Sequence, residues 1–316
     1  MGKAKKHARK LDADFPSRPA GEVASTLVAA QEVVFRNAWE HYCQCADDDP
    51  EALHDLRVEL RRLRVWLKLS RDVIRTRKST RKRLKALARA SSPARDREVM
   101  MTLLEQLARD PDVGEAGERL IRLADEHDPP SRQRLAFEPK PGLKPRPRDQ
   151  TPPFVDWFTE QLDGMLDLIR RDMDEGRAGA HATRIQVKYL RYLVEPMSEP
   201  FAGVVPLLKD LKSIQDRLGD VHDVVVFRGH IPRWAGWLVE EALPGALERP
   251  GKQTRAVTQS FAEARTAVIG LAGWQDARLN ALWKDWEAAR PALEGRLVRG
   301  VSTLAADMRK VASGAD

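Results

Sequence analysis

From Val23 to about Asp125, apolar residues recur at helical spacing through Leu-, Ala-, Arg- and Glu-rich runs with few breakers, a pattern that predicts amphipathic helices. The same periodicity resumes at Phe154 and continues to about Val311. It is punctuated at Glu195-Pro196, Gly203, Gly219, Pro232, Gly245 and Pro250-Gly251, where turns are expected. No stretch alternates apolar and polar residues as a half-buried strand does, so the expected class is all-α. Between the two helical stretches, residues 129–153 gather Pro129, Pro130, Pro139, Pro141, Pro145, Pro147, Pro152 and Pro153 among Lys and Arg, which predicts an extended connection. Residues 1–22 are basic, contain Pro16 and Pro19 and carry little apolar content, and read as a flexible tail. The expected organisation is a tail (1–22), a first helical bundle (23–128), a proline-rich linker (129–153) and a second bundle (154–316).

Composition narrows the class of protein. With 42% hydrophobic and 32% charged residues in 316, the chain has the makings of a folded core and is not a disordered polyelectrolyte. No uncharged apolar run approaches the roughly 18–20 residues of a membrane span, and no apolar signal core follows the basic N-terminus. Cys43 and Cys45 make neither a disulfide framework nor a zinc site, so a cytoplasmic protein with reduced thiols is expected. Charge is unevenly spread. Residues 54–97 hold 16 Lys/Arg against 4 Asp/Glu, a net of +12, whereas the whole chain is +7. The remainder is therefore mildly acidic, and the basic excess points to a localised polyanion site.

The chain also repeats itself. Residues 54–64 read HDLRVELRRLR and residues 181–191 read HATRIQVKYLR, an offset of 127. The same offset lays Lys82 and Lys85 on Lys209 and Lys212, and Asp96 on Asp223. Of the 43 aligned positions eight are identical, and five of those eight are basic. Two copies that have diverged nearly everywhere still agree on positive charge, which a shared core alone would not leave behind.

On a helix of 100° per residue, His54, Arg57, Arg61, Arg64 and Lys68 fall within an arc of about 80°. Leu56, Leu60, Leu63 and Leu67 flank it on one side; Val58, Val65 and Leu69 flank it on the other. A cationic stripe between two apolar flanks implies packing neighbours to left and right, with the charge lining a groove. His181, Arg184, Lys188 and Arg191 repeat the geometry. A second basic helix follows the first, with Arg75, Lys78, Lys82, Lys85 and Arg89 recurring at helical spacing; its counterpart keeps Lys209 and Lys212 but has Asp216 where Arg89 would map. Rows about 15–21 Å long suit an extended anion better than a single small metabolite. Few acidic residues stand at salt-bridging distance along these rows, and like charges at i,i+4 repel, so the expected counter-charge is a bound anion.

The H-x-x-R-x-x-x-[RK]-x-x-R pattern at residues 54–64 and again at 181–191 resembles the signature of the CHAD domain, the conserved histidine α-helical domain. Residues 93–99 (PARDREV) resemble its Arg-Asp element, and residues 211–223 (LKSIQDRLGDVHD) resemble the Leu-x-x-Leu-Gln-x-x-Leu-Gly…Asp stretch of its second half. The resemblance implies one CHAD domain over residues 23–312: two pseudo-symmetric helical bundles enclosing a basic cavity that binds inorganic polyphosphate, with association to polyphosphate granules. The family's catalytic companion, a triphosphate tunnel domain with an E-x-E-x-K motif, has no counterpart in this sequence, so a stand-alone binder is expected. Two departures stand out: His222 occupies the position of Arg95, and the linker is long.

The expected polyphosphate ligands are therefore His54, Arg57, Arg61, Arg64, Lys68, Lys78, Lys82, Lys85, Arg89, His181, Arg184, Lys188, Arg191, Lys209 and Lys212. His54 and His181 each head a cationic stripe, which favours phosphate contact over catalysis or a structural role. Asp96 and Asp223 read as helix caps or arginine anchors. His222-Asp223 lacks a third metal ligand, and no Walker loop, dinucleotide fingerprint, nucleophile elbow or two-metal carboxylate cluster appears, so no enzyme activity, metal or cofactor is expected. The eight tryptophans read as core. Two rivals remain: a basic helical nucleic-acid binder, and a phosphoanhydride-processing enzyme requiring a divalent metal and facing carboxylates.

Overall fold

The computed structural model describes residues 11–45, 49, 51–129, 135, 143–247 and 255–314. Among these, the helices are α1 (Ala20–Cys45), α2 (Glu51–Leu69), α3 (Lys78–Ala90), α4 (Ser92–Ala108), α5 (Gly114–His127), α6 (Phe154–Asp174), α7 (Ala180–Val194), α8 (Val204–Leu247) and α9 (Arg255–Ala312). The class is all-α, as the periodicity predicts. Two strands of two residues each, β1 (Ile74–Arg75) and β2 (Arg146–Pro147), pair antiparallel and are too short to leave an alternating signature.

The chain divides into two compact units that cut across the sequence halves. One takes the described residues of 1–92, 133–216 and 289–316, and the other those of 93–132 and 217–288. Each unit draws helices from both halves. In the first, α2 buries Leu56, Leu60, Leu63 and Leu67, the leucine flank read from the helical wheel. Its aromatic core joins Trp66, Trp157, Phe154 and Phe158, with ring centroids 5.3–6.5 Å apart. In the second unit, Met100, Leu103, Leu104 and Leu107 of α4 meet Leu120 and Leu123 of α5, Phe227, Trp234 and Leu238 of α8, and Leu271 of α9. Of the tryptophans only Trp274 is half-buried; the other seven are buried, as expected of core residues.

Three expectations need correction or placement. The tail ends sooner than residue 22: Phe15 is 3% exposed and packs against Phe154 and Phe201, with centroids 5.7 and 6.1 Å away. The Ala20 N–H bonds to the Pro152 carbonyl and the Phe154 N–H to the Arg18 carbonyl, both at 2.8 Å. Residues 1–10 lie outside the described residues. Secondly, the described end of the proline-rich segment is held against the first unit by hydrogen bonds. Arg148 N–H donates to Val73 at 2.8 Å, and Gly21 N–H donates to Thr151 Oγ1 at 3.0 Å. Gly21 is required there, because a Cβ would come within 2.7 Å of the Val73 carbonyl. Thirdly, Gly219 and Pro232 do not interrupt α8. Leu218, Val221, Val224, Phe227, Trp234 and Leu238 keep one apolar face buried through both breakers, and that burial outweighs costs of about 1 and 3 kcal/mol. Pro250-Gly251 lies outside the described residues.

Candidate anion-binding cleft

The first unit contains a cleft of about 390 Å³ built from three helices and one turn. Arg61, Arg64 and Lys68 reach it from α2, Arg71 from the 3₁₀ turn that follows, Arg81 and Lys85 from α3, and Lys188 from α7. Val65, Leu67, Leu84, Ile185 and Tyr189 complete the lining. Seven of these twelve residues are cationic and none is acidic. The two repeat copies thus meet here, with Lys188 of the second facing Arg61, Arg64 and Lys68 of the first. Their helices are joined directly by the Trp66 Nε1–H, which donates to the Tyr192 carbonyl at 3.0 Å.

Among the described residues, no carboxylate lines the cleft beside these cations. Burial lowers the pKa of the Arg64 guanidinium below its ordinary value; the Tyr189 hydroxyl opposes this and the neighbouring Arg61 charge adds to it. Lys68 Nζ lies 4.2 Å above the centre of the Tyr189 ring, which gives it an aromatic rather than an anionic neighbour. Arg62, one residue from Arg61, has the opposite fate. It points to the far side of α2, where its guanidinium bonds both Glu195 oxygens at 2.8 and 2.6 Å and also bonds Glu59. Burial opposes that charge, but Glu195 and Glu59 outweigh it and hold the Arg62 pKa above the ordinary value. One helix therefore carries, on one side, an arginine paired with carboxylates and, on its cleft side, arginines with no carboxylate in the described lining.

Of the fifteen ligands expected from sequence, Arg61, Arg64, Lys68, Lys85 and Lys188 share the cleft. Lys78, Lys82 and Arg89 are exposed on α3 outside its lining, and His54 and His181 are exposed near the starts of α2 and α7. Arg57 turns to Ser91 at the end of α3. Arg184 and Arg191 are half-buried on α7, and the Arg191 guanidinium sits 5.1 Å from the centre of the Tyr192 ring. On α8, Lys209 is exposed and Lys212 pairs with Asp216. The cleft adds Arg71, Arg81 and Tyr189. Arg71 was signalled by the row Arg61, Arg64, Lys68, Arg71 at i, i+3, i+7 and i+10, and Arg81 by standing one turn before Lys85.

A recess of about 260 Å³ in the second unit is different in kind. Trp234, Trp237, Met100 and Met101 line it with Asp96, Arg97, Asp128, His230 and Arg233. Its charges are balanced: Arg233 pairs with Asp128 at 3.1 Å, and Arg97 bonds Asp125 and the Asp128 carbonyl at 2.6 Å. Asp96 lies within α4 and Asp223 within α8, so neither caps a helix. The side chain of Arg95 lies outside the described residues. Burial, reinforced by Arg233 and opposed by Asp128 and Asp96, lowers the His230 pKa. Folding there favours neutral imidazole, so this contribution to stability is full above the ordinary value of 6.5 and declines as pH falls through it. His230→Gln is expected to flatten the loss of stability between pH 8 and 5.5, measured as the urea midpoint; an unchanged pH dependence would exclude His230 as its source.

Among the described residues no group of three His, Cys, Asp or Glu side chains is placed to hold a metal ion, and no helix is long and apolar enough to cross a membrane. A family model described as the CHAD domain matches residues 34–232. The fold is similar to the crystal structure of the CHAD domain from the plant Ricinus communis, with 20% identity, a TM-score of 0.52, and coverage of 94% of this chain and 95% of that one. It is also similar to PptA from Streptomyces chartreusis, with 14% identity, a TM-score of 0.51, and coverage of 87% and 100%. No curated protein matches the sequence.

Proposed function

The chain belongs to the CHAD domain family, and on that premise we propose that it binds inorganic polyphosphate in the cleft between α2, α3 and α7 without transforming it. The carrying observation is the lining itself: seven cationic residues from both repeat copies and no carboxylate. A phosphate polymer brings about one negative charge per unit and no bases, so it meets rows of point charges and guanidinium forks without needing stacking platforms. The aromatic ring in the lining, Tyr189, already has Lys68 over its face, which disfavours base stacking there. The absence of acidic side chains from the described lining supports retention over turnover, since none of those residues is a carboxylate that could hold a divalent cation or take a proton beside the anion. Recruitment to polyphosphate granules in the cytoplasm follows from the same interaction.

A titration of long-chain polyphosphate, double-stranded DNA and ATP across ionic strength tests this reading. Polyphosphate is expected to bind tightest, with chelator and nuclease without effect, and its affinity to fall steeply with salt as counterions are released. Displacement by DNA at equal charge would favour the nucleic-acid binder, and magnesium-dependent shortening of the polymer would favour the enzyme.

A further inference from the structure

We propose that Arg57, the arginine of the repeat motif nearest His54, is a positioning residue that serves the cleft through α3 and is not itself a phosphate ligand. The inference rests on the polyphosphate reading of that cleft. Arg57 shares the wheel arc of Arg61 and Arg64, yet it does not line the cleft. Its Nη1 donates to the backbone carbonyl of Ser91 and, at 3.0 Å, to the Ser91 Oγ. Ser91 closes α3: its own N–H bonds to the Leu87 carbonyl at 3.0 Å, its Oγ bonds to Ala88 at 3.2 Å, and it is 2% exposed. The guanidinium therefore ties α2 to the end of α3 by a forked, charge-assisted contact.

α3 needs such a tie. Its 13 residues include Lys78, Arg81, Lys82, Arg83, Lys85 and Arg89 and no Asp or Glu, and it buries only Leu84 and Leu87. Its N-cap, Arg77, makes no side-chain cap, and its first turn carries Lys78 where the helix dipole favours an acid. The two α3 cations of the cleft, Arg81 and Lys85, also face like charges on α2 across it. Capping and electrostatics thus both weaken this helix at its start, so the aim of Arg81 and Lys85 depends on what holds its end. An arginine at position 57 supplies two donors to Ser91 from a neighbour that is itself fixed in the core.

Two measurements decide the matter. In anion-free protein, Arg57→Gln is expected to speed amide hydrogen exchange at residues 84–91 at least tenfold while α2 and α7 keep their protection, with Arg57→Lys intermediate and Ser91→Ala milder. Polyphosphate retention is then compared across salt for the wild type, Arg57→Gln, Arg81→Gln/Lys85→Gln, and the triple variant. Arg57→Gln alone is expected to weaken retention about tenfold, and the triple variant to match the double in affinity and salt slope. A triple variant weaker than the double, with a slope lower by roughly 0.7, would make Arg57 a direct ligand and overturn the proposal. So would unchanged exchange in α3. If the wild type fails to retain polyphosphate, the functional reading falls, and the exchange measurement still decides what Arg57 does.

Discussion

Replacing Arg61, Arg64, Lys68 and Lys85 together by Gln is expected to reduce affinity for long-chain polyphosphate about a thousandfold at moderate salt. The slope of log affinity against log salt should fall by about 3, at roughly 0.7 per lost phosphate contact on a single-stranded polyanion. Folding stability should hold or rise slightly, because no acidic residue lines the cleft and the Arg61–Arg64 repulsion disappears. Arg62→Gln is the matched control on the same helix. It breaks the ties to Glu195 and Glu59 and should cost stability while leaving the salt slope intact. Measured slopes that are the same for both variants would refute the cleft as the binding site.

Trp66→Ala is expected to cost about 4 kcal/mol of folding stability, within the range for truncating a buried aromatic. The indole is 2% exposed, lies 6.5 Å from Trp157, and holds the Tyr192 carbonyl across the α2–α7 contact. Truncation leaves both a cavity and a buried carbonyl without its donor. Trp66→Phe should cost about half as much, since it refills most of the space but not the hydrogen bond. Because α7 carries Lys188 and Tyr189 into the cleft, retention of polyphosphate should weaken as well, although Trp66 does not line it. A loss below about 1 kcal/mol in urea unfolding would show that the two helices are joined by something else.

The helical wheel was sufficient for direction around an axis and insufficient for height along it. Arg61 and Arg64 lie in the cationic arc, whereas Arg62, one residue on, leaves the helix on another side and pairs with Glu195. The wheel grouped Arg57 with Arg61 and Arg64 because azimuth alone does not reveal that, one turn earlier, the neighbour is Ser91 at the end of α3. The second repeat shows the same limit: Lys188 reaches the cleft, while Arg184 and Arg191 lie elsewhere on α7. Arg71 and Arg81 continue the cationic rows at helical spacing, but spacing alone does not say that the row extends past the end of α2 or how α3 is placed against α2, so their place in the cleft emerges only from the fold. The flexible-tail reading fails at Phe15, which stands alone in a polar stretch and is buried by Phe154 and Phe201 from distant parts of the chain. The helical class itself needed only local periodicity, and was legible throughout.

Arg64 sits beside Arg61 with burial working against its charge, so an anion placed there would meet a guanidinium whose charge burial and Arg61 disfavour. A ligand that binds only the folded chain adds RT ln(1 + [L]/Kd) to its stability, about 2.7 kcal/mol at a hundredfold excess over Kd. If the cleft holds phosphate polymer as proposed, resistance to proteolysis would track how much of that polymer a cell has stored, and the protein's abundance would follow its ligand with no dedicated sensor.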